Sequence, residues 1–325
     1  MRHPDTIFEL TLFGKLSKMN DDKNEECMMN KMCNNNIQTF FSVFLICILL
    51  SHLSLLYGKD PHCLWLLSSR KSTLYFLGSI HVLSNADYPL DSCIENAYEQ
   101  SRVVYFEVDM DSASSVSAQQ KIMMAGMLKD RTLADVLSDS TYQMLSRELT
   151  EYGIKIDLLS GLKPWMVATM LTIAKFNALG ISQQHGVDRY FYSRAKADGR
   201  QVRGMETIDD QIRCFNALDD ELEDEIVLEA MQSLDEIESE FLRLKKAWKT
   251  GQVAIIDSVM NKHMNEYPEL KKILLKERNK RWAQHVERMI ENKENALIIV
   301  GTGHLVGEDS LIDILRNRGY RIRQM

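Results

Sequence analysis

An α/β fold, with a mixed sheet built on two strand-GxxH-helix-strand units and a large helical insertion between them, is what this sequence predicts. Three observations carry that reading. The segments "LYFLGSIHVLSNADYPLDSCIENAYEQSRVVYFEV", starting at Leu74, and "LIIVGTGHLVGEDSLIDILRNRGYRIRQM", starting at Leu297, share one plan: apolar strand, glycine, histidine three positions on, helix, returning strand. Short β-branched or aromatic runs bounded by turn or charge signals mark the strands. Nearly everything from 112 to 200 and from 207 to 295 has helical periodicity.

In chain order, residues 1–58 stand apart from the α/β domain of 59–325. Phe40 to Leu50, "FFSVFLICILL", continues more weakly to Tyr57 and then meets the polar "GKDPH". A strongly apolar part of this length resembles a secretory h-region, for which about 7–15 residues are usual. Cleavage near Gly58 and an extracytoplasmic location, periplasmic or secreted, are the expectation. The competing expectation is a membrane anchor through 40–57, since a run of roughly 18 apolar residues can just span a bilayer. The long, Asn- and Met-rich stretch before the run suits a start at Met29 or Met32 better than one at Met1.

Strands are expected at Cys63–Leu67, Thr73–Leu77, Val103–Val108, Gln201–Gly204, Ala296–Val300 and Tyr320–Arg323. Among the helices, Lys163–Leu179 is apolar on most of its surface and should be buried, and Leu218–Thr250 should be a long acidic amphipathic helix or helix pair. The acids of "DDELEDE", Asp219–Glu225, suit the first turn of that helix, where the dipole favours negative charge. A net charge of −7 with no basic cluster outside amphipathic patterns argues against a nucleic-acid partner. Cys63, Cys93 and Cys214 lie beyond the leader with no CxxC zinc spacing.

Aligning the two units sets Gly78 over Gly301 and His81 over His304. A β-α-β connection runs between parallel strands, and ligands in open α/β sheets collect beyond the carboxyl ends of those strands. Both histidines are therefore expected at one rim. Glu107, at the end of the apolar run "VVYFEV", should reach the same rim, with Asp109 behind it at the same parity; either acid could instead cap a helix or form a salt bridge. Glu206 in "VRGMET" has the same placement. Two histidines and one or two carboxylates are a normal ligand set for a catalytic divalent metal.

At these residues the chain resembles the TraB/GumN family, related to the animal Tiki proteases. The resemblance rests on "YFLGSIHVLSNADYPL", "VYFEVDM", "TLADVL", "LKPWMVA", "GVDRYF", "GMETIDDQ", "ERNKRWA" and "GTGHLVGEDSLIDILRNRGY", in that order from Tyr75 to Tyr320. It implies a metal-dependent, peptidase-like hydrolase using His81, Glu107, Arg278 and His304, with Glu206 and Gln211 on a further motif. It also implies a divalent ion (Mn, Co or Zn) on His81, Glu107 and His304, and a peptide or protein as substrate. In this reading a carboxylate not fully used as a ligand, Glu107 or Glu206, acts as base, and Arg278 steadies an oxyanion or a substrate carboxylate. Two other classes stay open: a metal-independent, esterase-like hydrolase, and a peptide-binding or sequestering protein without turnover. His185 and His263 fall on no motif and read as surface or capping residues.

Overall fold

Six strands form one mixed sheet in the computed structural model, which describes residues 61–325 apart from 71, 262, 263 and 266. The expectations for the leader and for His263 lie outside the described residues. The strands are β1 (Leu64–Ser68), β2 (Thr73–Ser79), β3 (Val103–Val108), β4 (Gln201–Glu206), β5 (Asn295–Gly301) and β6 (Ile322–Gln324), in the order β4-β3-β5-β2-β1-β6. Only β1 runs against its neighbours, pairing antiparallel with β2 and β6. The others are parallel where they meet.

The helices of about two turns or more are α1 (Ser92–Glu99), α2 (Val116–Ala125), α3 (Asp139–Glu151), α4 (Pro164–Ala178), α5 (Val187–Ala197) and α6 (Ile208–Asn216). They continue with α7 (Asp220–Ser233), α8 (Ile237–Lys249), α9 (Val253–Asn261), α10 (Glu277–Glu291) and α11 (Leu311–Asn317).

The two repeat units interleave. From β2 the chain passes over β5 to reach β3, and from β5 it passes over β2 and β1 to reach β6. Both returns end parallel to their starting strands, and β2 and β5 become central neighbours. Ser79 pairs with Gly301 at their shared carboxyl end. Helices cover both faces: on β3, Tyr105 meets His285 of α10 edge-on while its neighbour Phe106 meets Tyr192 of α5. Successive residues of a strand point to opposite faces, so α5 and α10 lie on opposite sides. α1 joins α5 through Tyr98 against Phe191, and α11 packs on α10. Burial on both faces explains why β2 and β5 are nearly continuous apolar runs.

The helical insertion carries an apolar cluster of its own, with Leu145 and Leu149 of α3, Val167 and Leu171 of α4, and Val227 of α7. The expected acidic segment is a helix pair, α7 and α8. Asp219 caps α7 by accepting from the Leu222 amide, and Asp220 pairs with Arg131. The expectation of a fully buried 163–179 helix needs correction. Val167, Ala168 and Leu171 are buried, but Thr169 and Met170 are exposed, and Ile173 and Phe176 are only half-buried. Those two side chains, with Thr169, line a cavity, and Phe176 also meets Phe241 edge-on.

Candidate functional site

The two glycines of the repeat do different work, because β2 and β5 are staggered by one residue relative to the sequence alignment. Gly78 stands opposite Val300, and Gly301 opposite Ser79. A Cβ on Gly78 would lie 2.8 Å from Thr302 Oγ1. Glycine there admits the Thr302 hydroxyl, which donates to Ser79 O at 2.8 Å. At Gly301 a Cβ would lie 3.0 Å from Glu107 Oε1 and 3.4 Å from His81 Nε2. The missing side chain leaves those two polar atoms facing one small space.

Glu107 ends β3 and is fixed from two sides. Oε1 accepts from the Gly301 amide at 2.8 Å, and Oε2 accepts from Arg278 Nη2 at 2.6 Å. Burial opposes its charge, but the Arg278 guanidinium, the His81 imidazolium and the Gly301 amide outweigh it, holding the carboxyl at about 2. Asp109, its neighbour of equal parity, caps the short helix Met110–Ala113 by accepting from the Ser112 amide.

Arg278 comes from α10, whose buried positions Arg278, Asn279, Trp282, Ala283, Val286 and Met289 form one amphipathic face. A π turn, Lys272–Lys276, precedes it. The guanidinium uses all of its N–H groups within the protein. Nε and Nη2 donate to Glu206 Oε1 at 2.9 and 2.6 Å, Nη2 also to Glu107 Oε2, and Nη1 to Leu274 O at 3.1 Å and to His304 Nε2 at 3.0 Å. No N–H is left over for an oxyanion or a substrate carboxylate, the task expected from sequence. Nor does Arg278 stand on a solvated face, being only 9% exposed. Glu206, with a side chain 3% exposed, gives Oε1 to Arg278 and Oε2 to Trp282 Nε1 at 3.2 Å. It holds the arginine and does not reach the space beside Gly301. Gln211 lines the cleft in front of Glu107.

The two histidines occupy opposite environments. His304 is buried against the Trp282 ring, 4.4 Å between centroids. Because arginine can only donate, His304 Nε2 is the acceptor of its bond, and Nδ1–H donates to Asn279 Oδ1 at 2.7 Å. Burial foremost, with Arg278 and His81 adding to it, pushes the imidazole down to about 3, so it is neutral. His81 is half-exposed, with Nδ1 3.0 Å from Asp188 Oδ1 and Nε2 4.0 Å from Glu107 Oε1. Burial works to lower its pKa, yet Asp188 and Glu107 prevail and raise it to about 9. Asp188 in turn accepts from Ser79 Oγ at 2.5 Å. Divergent shifts within one cluster are the mark by which acid and base roles are told apart.

His81, Glu107, Arg278, His304 and Glu206 are thus joined in one network, with Gln211 at its mouth. Two members escaped the sequence reading, Asp188 and Asn279. Both lie inside quoted motifs, "GVDRYF" and "ERNKRWA", and their signal was a polar residue held within an otherwise amphipathic helix start. His185 ends a short 3₁₀ turn and offers its carbonyl to Tyr88 Oη at 2.7 Å.

A divalent metal needs about three donors with free lone pairs and an open position. Glu107 Oε1 and His81 Nε2 face one space, and the Asp188 carboxylate behind His81 is the partner a metal-bound imidazole commonly has. His304 does not complete the set, since one nitrogen accepts from Arg278 and the other carries its proton to Asn279. Among the described residues no group of three or more His, Cys, Asp or Glu is arranged to hold an ion. As placed, these residues do not fit a three-ligand centre.

In front of the cluster lies a cavity of about 490 Å³ lined by His81, Glu107, Gln184, Asp188, Arg189 and Gln211, among others. No helix among the described residues is long and apolar enough to cross a membrane.

Relatives share this chain's sequence at low identity. An uncharacterized protein of Treponema pallidum is 22% identical over 272 residues, spanning 78% of this chain and 80% of its own length. The uncharacterized protein YbaP of Escherichia coli is 22% identical over 255 residues, 74% of this chain and 87% of its own. Metalloprotease TIKI1 of Homo sapiens is 23% identical over 320 residues, 80% of this chain and 61% of its own length. No solved structure matches. With the family's sequence profile matched across residues 63–324, the chain belongs to the TraB/PrgY/gumN family.

Proposed function

We propose that this chain is a hydrolase of peptide bonds that works through a water held between Glu107 and His81. The observation that carries the reading is the 4.0 Å separation of Glu107 Oε1 and His81 Nε2 across the open space at Gly301. Two hydrogen bonds of about 2.8 Å to one bent water span such a gap.

Glu107 is ionised and accepts a hydrogen from that water. His81, protonated below about 9, keeps a proton on Nε2. The water oxygen bonds to the substrate carbonyl carbon as its proton passes to Glu107. His81 Nε2 then gives its proton to the leaving amine as the C–N bond breaks, and is reprotonated from Glu107 through solvent, so the protons balance. Asp188 holds the His81 ring and favours the imidazolium. Arg278, buttressed by Glu206 and His304, sets the direction of the Glu107 carboxylate. These are positioning residues; His81 and Glu107 are the catalytic ones.

Likeness to the metalloprotease TIKI1 relatives supports a peptide substrate, and it also favours a second reading. In that reading His81 and Glu107 would be two ligands of a divalent ion, which would supply an activated water; the Asp188–His81 pair is the feature that supports it. The apolar run of 40–57 supports a mature chain outside the cytoplasm.

The test is incubation of the purified protein with a peptide library, read by mass spectrometry, with EDTA or with added Mn, Co or Zn. Cleavage that is lost in His81→Ala and in Glu107→Gln is expected. Cleavage only with added metal favours the second reading. Intact peptides under every condition would overturn hydrolysis and leave a binding protein.

A further inference from the structure

His81 lies on the wall between two cavities of opposite character. One is the polar cleft described above. The other, about 560 Å³, opens on the far side of His81 and Gly301 and is walled by α4 and α8, with Trp165, Thr172, Ile173 and Phe176 facing Phe241 and Leu244. Most of its other lining is Ala, Ile, Leu and Met. The threonines of α4 add little polarity, because Thr169 and Thr172 turn their hydroxyls to the helix carbonyls of Trp165 and Ala168.

Ser79, Asn177, Gln183, Thr302 and Glu229, whose Oε1 accepts from Ser233 Oγ, supply the rest of the polar lining. Trp165 is 6% exposed, stacks on Phe215 at 4.5 Å, and its indole N–H has no hydrogen-bond partner among the described residues. That N–H is enclosed and is not reached from the cavity. A space of roughly 300–1,000 Å³ with apolar walls and a few polar groups is the usual form of a small-ligand site.

We infer that this cavity receives a large apolar side chain of the substrate, from the residue flanking the bond held at His81. The inference rests on the peptide-hydrolase reading and deepens it: the enzyme cuts next to bulky apolar residues such as Phe, Leu or Met and discriminates against small or polar ones at that position. The opposite side of the scissile bond lies in the polar cleft.

The test separates this inference from hydrolysis itself. N-phenyl-1-naphthylamine serves as an apolar fluorescent probe, displaced by N-acetyl-phenylalanine amide or by N-acetyl-serine amide. Displacement by the phenylalanine compound at a concentration at least tenfold lower is expected, whether or not any peptide is cut. Thr172→Phe on one wall and Leu244→Phe on the other, each checked for native circular dichroism, should weaken probe binding at least tenfold. For peptides that are cut, the kcat/KM preference for Phe over Ser beside the scissile bond should fall by a similar factor in either variant. Equal displacement by the two amides, or undiminished probe binding in whichever filled variants fold, would overturn the apolar pocket. Selective probe displacement without cleavage of any peptide would keep the pocket and overturn the hydrolase reading instead.

Discussion

Replacing Arg278 by lysine tests whether this buried cation acts by positioning. The guanidinium makes five hydrogen bonds, to Glu206 Oε1 twice, Glu107 Oε2, Leu274 O and His304 Nε2. An ammonium has three donors on one nitrogen for these four acceptors, so at least one loses its partner. Each buried acceptor left alone costs about 1–3 kcal/mol, which is the least loss expected. For a domain of this size that is a fall in Tm of about 2–12 °C, at roughly 2–4 °C per kcal/mol. Freed from its fork, Glu107 should also titrate higher, moving the acid limb of the rate profile up from about 2 towards the ordinary 4.5. Thermal unfolding and a pH-rate profile on one peptide substrate measure both. A variant within about 1 kcal/mol of wild type, with an unmoved acid limb, would refute the positioning argument and return Arg278 to direct contact with substrate.

Other consequences of the geometry are open to measurement. Glu107→Gln should lower kcat about 10²–10⁴-fold, the usual worth of a proton-transfer group. Because the folded pKa of Glu107 lies below its unfolded value, its contribution to stability is present above about 4.5 and fades as pH falls towards about 2; unfolding of the Gln variant should lack that part of the acid dependence. Activity should decline as pH rises through about 9, where His81 loses its proton. The stability that goes with the raised pKa is present below about 6.5 and lost over the same rise. Asp188→Asn should bring that alkaline limb down towards 6.5; an unmoved limb would remove His81 as the titrating group. Gly301→Ala should cost rate more than stability, since its Cβ enters the space between Glu107 and His81, whereas Gly78→Ala should cost stability more than rate by displacing Thr302. The reverse order, read from Tm and kcat, would count against the roles given to the two glycines.

The strands were legible because their signals are local: each of the six lies within about two residues of its expected place. Their order was not, because β2 pairs with β5 across more than two hundred residues and nothing local records that pairing. The repeat correctly pointed both histidines to one rim, but it made them look equivalent. What separates them is the one-residue stagger that places Gly301 beside Ser79, the half-exposed position of His81, and the Arg278–Asn279 pair on either nitrogen of His304. Asp109 and Glu107 likewise share a parity, yet one caps a helix and the other meets a buried arginine that only tertiary packing delivers. The apolar character of 163–179 was read as burial, whereas an apolar helix face can equally wall a cavity.

The interleaving of the two units has a consequence for the life of the chain. Thr73 pairs with Asn295, so one of the two central strands is made more than two hundred residues after its neighbour. A nascent or truncated chain ending before β5 carries His81, Asp188, Glu107 and Arg278 yet lacks the Gly301 amide, His304 and the strand that brings β2 and β3 to one rim. Assembly of the candidate centre therefore waits until β5 and His304 have been made, which keeps it incomplete on shorter nascent chains.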